Sequence, residues 1–124
     1  MPNEAEQWVT YAEEDLAYAL VGLEEFPRPA VWSLQQAAEK YLKAVLFHLG
    51  KDPPRSHDLL FLLSLIEKSS ATDISDAAAE LNTFGPARRY PGDMPEITFE
   101  EAKIALDAVQ ILRTWARKKM GLDD

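Results

Sequence analysis

The sequence predicts an all-α domain, an up-and-down antiparallel bundle of about five helices. Apolar residues recur at three- and four-residue spacing in five segments. Capping residues, prolines and glycines bound those segments, and no stretch alternates convincingly at period two. The 124 residues are enough for one domain, spanning 1–124, with short connections throughout.

The first helix is expected over residues 4–25. Asn3 caps it, and Glu6 three positions on completes a capping-box-like pattern. Trp8, Tyr11, Ala12, Leu16, Ala19, Leu20 and Leu23 make its apolar stripe, with Glu13, Glu14 and Asp15 mostly on the other side. Phe26-Pro27-Arg28-Pro29 ends it, and Pro29 suits the first turn of a second helix over 30–49, where a missing N–H costs little. Leu34, Ala38, Tyr41, Leu42, Val45 and Leu49 face inward there, and Gly50 is a left-handed stop. Ser56 caps a leucine-rich third helix over 57–68. A fourth runs over 73–84 and ends at Gly85-Pro86. Residues 85–97 form a Pro/Gly loop. Thr98 and Glu101 make a capping box for the fifth helix over 99–119, which turns Ala102, Ala105, Val109, Leu112 and Trp115 or Ala116 to the core.

Composition narrows the function. There is no cysteine, so disulfides and thiolate metal sites are excluded, in keeping with a reducing compartment. The N-terminus lacks a basic and apolar leader, and the longest apolar run, residues 59–66, is far short of a membrane span. A cytoplasmic location without membrane association is expected. Net charge is −8 and the pI is near 4.7, which opposes a broad duplex nucleic-acid surface. The charge is uneven: residues 1–27 hold seven acids and no base. Arg113, Arg117, Lys118 and Lys119 form a basic end that complements the last helix dipole.

Three segments carry candidate chemistry. In the run Gln35-Gln36-Ala37-Ala38-Glu39-Lys40-Tyr41-Leu42-Lys43, Glu39 and Lys43 are four apart and can pair on one helix face. The small alanines would let another helix or a ligand come close; the alternative is a solvated face. Arg55-Ser56-His57-Asp58 opens a helix, where free N–H groups and two basic side chains suit an anion. The alternative there is ordinary capping. In Ala87-Arg88-Arg89-Tyr90-Pro91, two arginines beside a ring can grip phosphate and stack a base, or can pair with the abundant carboxylates. His48 and His57 without cysteine do not make a zinc site. No phosphate-cradling glycine loop and no Ser-His-Asp arrangement is present, and neither metal nor cofactor is expected.

Read in order, these segments resemble the HEPN family (higher eukaryotes and prokaryotes nucleotide-binding). The match begins with Trp8 and Ala12-Glu13-Glu14-Asp15-Leu16. It continues through the Gln35-to-Ala44 run, Gly50, Arg55-Ser56-His57-Asp58-Leu59 and the Arg88-Arg89-Tyr90-Pro91 loop. The resemblance implies a helical bundle that forms homodimers. Many family members are metal-independent ribonucleases in which an arginine precedes a histidine by four to six intervening residues. That spacing is absent here: Arg55 is two positions from His57, and no histidine follows Arg88 or Arg89. Lys51 and Lys43 stand at suitable distances from His57 and His48, but lysine lacks the planar guanidinium fork.

The resemblance therefore points to the branch without the nuclease motif, whose members partner a minimal nucleotidyltransferase. It implies a non-catalytic module of a toxin–antitoxin-type pair that binds a nucleotide or such a partner. Lys40, Lys43, Arg55, His57, Arg88, Arg89 and Tyr90 would line its polar cleft. One alternative is a divergent ribonuclease with His57 as general acid/base and Arg55 or Arg89 on the phosphate. Another is a purely structural helical dimerisation domain, in which the polar side chains of the second helix are fully paired.

Overall fold

The computed structural model describes residues 3–84 and 96–122. Within them the chain is α1 (Glu4–Gly22), α2 (Pro27–His48), α3 (Leu59–Ile66), α4 (Thr72–Asn82) and α5 (Phe99–Lys119), with no strand. The fold class is the expected one, an all-α bundle of five helices. Helix α2 is its centre and packs against α1, α3 and α5, while α4 bridges α3 and α5.

Two contacts set the register of α1 against α2. Asp15 pairs with Lys40, and Trp8 stacks on Phe47 with ring centroids 6.0 Å apart. As the position falls along α1 it rises along α2, so the two helices are antiparallel. Each carries an alanine at every seventh position: Ala5, Ala12 and Ala19 on α1, Ala30, Ala37 and Ala44 on α2, all buried. The register brings Ala19 level with Ala37 and Ala12 level with Ala44. Side chains of one carbon let the backbones approach closely, and dispersion contacts grow accordingly. Larger residues fill the centre, where Leu34, Tyr41, Val45, Leu62, Leu81, Val109 and Leu112 are fully buried.

The caps follow the sequence at both ends of the chain. Asn3 Oδ1 accepts from the Glu6 amide at 2.8 Å. Thr98 and Glu101 each accept from the other's amide at 3.1 Å, a complete capping box. Gly50 has φ +76°, and its amide donates to the Phe47 carbonyl while that of Lys51 donates to Leu46. This pairing satisfies two carbonyls that the end of α2 would otherwise leave open.

Elsewhere the structure corrects the expected boundaries. Helix α1 ends at Gly22, and residues 23–25 follow as a turn closed by a last helix-type bond from the Phe26 amide to the Gly22 carbonyl at 2.8 Å. Helix α2 begins at Pro27, so both prolines sit in its first turn, where no N–H partner is needed. Asp58, not Ser56, caps α3 by accepting from the Phe61 amide at 3.2 Å; Ser56 Oγ accepts from Asp58 N. Helix α4 ends at Asn82. Tyr11, Leu20 and Leu49, expected inward, are exposed. Glu13 and Asp15, expected to face away from the core side, flank the buried face of α1 and are partnered by other helices.

Candidate functional site

The polar run of α2 is an interface between helices. Gln35 Nε2 donates to the carbonyls of Leu81 and Phe84, both at 2.8 Å, and so ties the end of α4 to α2. Lys40 crosses to Asp15 of α1. Glu39 is 7% exposed and holds two groups: Lys43 Nζ at 2.9 Å on one oxygen, His57 Nδ1 at 2.6 Å on the other. The expected Glu39–Lys43 pair is therefore present. The link from Glu39 to His57, 18 positions on, carries no sequence signal, because it depends on the loop after α2 folding back over that helix.

The imidazole of His57 is anchored on its inner edge only; its side chain remains 71% exposed. Arg55, two residues earlier, is exposed and has no ion-pair partner among the described residues. The start of α3 is already provided for. The Leu59 amide donates to Asn82 Oδ1 at 3.1 Å, the Phe61 amide donates to Asp58, and Asn82 Nδ2 donates to Asp58 at 3.0 Å. Two of the amides that an anion would use are thus engaged within the chain. Of the seven candidate residues, the structure brings Lys43 and His57 together, keeps Arg55 nearby in sequence, and sets Lys40 on the α1 side. Arg88, Arg89 and Tyr90 lie outside the described residues.

A second charged cluster joins α1, α2 and α5, and sequence reasoning missed it. Arg113 Nε donates to both oxygens of Glu13, at 3.0 and 3.1 Å, and Arg117 reaches the same carboxylate at 3.2 Å. These partners are 100 and 104 positions apart, so only the packed bundle reveals them. Burial works against the charge of Arg113, but hydrogen bonding to Glu13 and its negative charge outweigh that and raise its pKa. The Tyr41 hydroxyl is buried beside this cluster and makes no hydrogen bond of normal geometry. Burial first, and then the Glu13 charge, push that hydroxyl well above the usual phenol range.

That shift has a sign. Folded Tyr41 keeps its proton where the unfolded chain releases it, above about pH 10. The stabilising contribution is complete below that value and is lost as pH rises beyond it. Denaturant titrations at about pH 9 and pH 11 should show a smaller alkaline loss for Tyr41→Phe than for the parent chain. An unchanged loss would mean that other groups control the alkaline limb. At neutral pH the same variant removes an unsatisfied buried hydroxyl and should be as stable as the parent, or more so by about 1 kcal/mol.

A separate cleft of about 540 Å³ lies between α4 and α5, lined by Asp73, Ile74, Asp107, Ile111, Trp115 and Lys118 among others. It includes none of the candidate residues. No group of three or more histidine or carboxylate side chains among the described residues is placed to hold a metal ion. No helix among them is long and apolar enough to cross a membrane.

Comparison with known proteins extends this picture. A family model described as HEPN domain matches residues 5–119. No curated protein matches the sequence. Among solved structures, TT1696 from Thermus thermophilus is 28% identical with a TM-score of 0.84, over 95% of this chain and 99% of that one. ST0689, described as an archaeal HEPN homologue, is 24% identical with a TM-score of 0.81, over 96% of this chain and 99% of that one, a likeness of fold.

Proposed function

The chain belongs to the HEPN domain family, and from that premise we propose that it is a non-catalytic binding module that docks a protein partner. The partner class is the minimal nucleotidyltransferase that the motif-lacking branch implies. In this reading the chain acts as a cytoplasmic homodimer within a toxin–antitoxin-type pair. One observation carries the preference for protein over nucleotide: the cations of the α2 run are already neutralised from within. Lys40 is held by Asp15 and Lys43 by Glu39. A phosphate would have to break each pair before gaining the cation, and would leave a carboxylate facing it. The acidic surface adds long-range repulsion of polyanions.

Calorimetry tests this with two titrants, a minimal nucleotidyltransferase and a panel of purine and pyrimidine nucleotides. The expected result is saturable binding of the protein, and no heat from nucleotides in the micromolar range. Micromolar nucleotide binding without protein binding overturns the proposal.

The His57 geometry favours a second reading. A carboxylate that fixes one ring nitrogen and leaves the other edge open is an arrangement suited to general acid/base work, and Arg55 stands two residues away. That is the ribonuclease alternative. RNA cleavage by the parent chain against His57→Ala decides it, and equal background rates remove it.

A further inference from the structure

We infer that the outer face of α1, with Phe26, is a docking surface for a basic amphipathic helix of a protein partner. This deepens the protein-partner reading and rests on it. The face lies opposite the alanine ladder. Tyr11, Glu14, Tyr18 and Val21 follow one another at intervals of three and four, so they form a single stripe along α1. A solvent face should be polar, yet Tyr11 is 52% exposed, Tyr18 70%, Val21 90% and Phe26 61%. At the end of the stripe Tyr18, Val21, Gly22, Phe26, Pro29 and Ala30 enclose a pocket of about 310 Å³, room for a bulky apolar side chain. The spacing is that of a helix-packing seam, which a second helix matches with its own heptad positions.

Charge selects the occupant. Glu14 lies within the stripe and Glu24 and Glu25 follow it in sequence; all three are exposed and have no ion pair among the described residues. With no base before Arg28, nothing on α1 offsets them. A second copy docked through the same face would bring these acids against their own equivalents, since a two-fold interface pairs each patch with itself. An anionic lipid surface would be repelled likewise. A helix with leucines in its seam and lysines or arginines at its edges satisfies both the pocket and the acids.

The test uses the full chain and two synthetic helical peptides that share a leucine seam, one edged with lysine and the other with glutamate. Fluorescence anisotropy should show the lysine peptide binding at least about tenfold more tightly, with affinity falling as salt is raised. The double variant Tyr18→Ser with Val21→Ser should lose about tenfold or more while its unfolding curve stays unchanged, because both side chains are exposed. Equal binding of the two peptides, no binding, or an unaffected double variant overturns the inference. So does a dimer seen by sedimentation that the double variant dissociates, since a second copy would then cover the face. If a nucleotidyltransferase binds the parent and the double variant alike, the protein-partner reading stands and this surface falls. If the lysine peptide behaves as expected while no transferase binds, that choice of partner falls and the surface stands.

Discussion

Glu39→Ala is expected to destabilise the fold by about 2 to 4 kcal/mol, read as a drop in the urea midpoint at unchanged slope. The loss comes from what remains. Lys43 is nearly as buried as Glu39, with side-chain exposures of 12% and 10%, and its ammonium group would lose its partner. His57 is far more exposed and relaxes into water, which keeps the expected cost below that of a fully buried triad. Glu39→Gln retains hydrogen-bonding capacity and should cost roughly half as much. Replacing the pair together, Glu39→Leu with Lys43→Met, should recover most of the loss, because a buried ion pair and apolar residues of similar volume are near equal in stability. A single alanine variant within about 1 kcal/mol of the parent would show that Lys43 reaches solvent without help, and that the cluster contributes little to the fold.

Ala37→Leu should cost about 3 kcal/mol, at the upper end for overpacking. Ala37 is fully buried, and the α1–α2 register sets it level with Ala19. Three added carbons there have no space unless the helices separate, and separation would strain the Asp15–Lys40 and Trp8–Phe47 contacts together. Ala17→Leu is the control: it adds the same volume on the same helix pair at an exposed position of α1 and should change stability by under about 0.5 kcal/mol. Equal costs at the two sites would refute close packing along the ladder.

The two substitutions bear on the residues that stand out in the sequence. The alanines beside Gln35 and Gln36 do admit a close neighbour, and in the structure that neighbour is α1 of the same chain. The Glu39–Lys43 pair is legible because a spacing of four is a local property of any helix. The capping box at Thr98 and the stop at Gly50 are legible for the same reason. Tyr11 and Leu20 fit the helical period of the apolar residues and yet face solvent. A period marks a stripe without saying how wide the covered face is, and α1 is covered along its alanines, so those two side chains lie outside it.

By itself the sequence determined the five helices, the caps at Asn3, Gly50 and Thr98, the acidic character and the family resemblance. These depend on local spacing and composition, which survive without knowledge of any distant partner. The tertiary structure alone decided where the charges go: His57 to Glu39, Gln35 to the end of α4, and Arg113 and Arg117 to Glu13. Such pairs join residues 18 to 104 positions apart, and their selection depends on which helix faces pack together and in what register. Periodicity is fixed by one helix, whereas an ion pair between helices is fixed by two surfaces meeting, and that second condition is written nowhere along the chain.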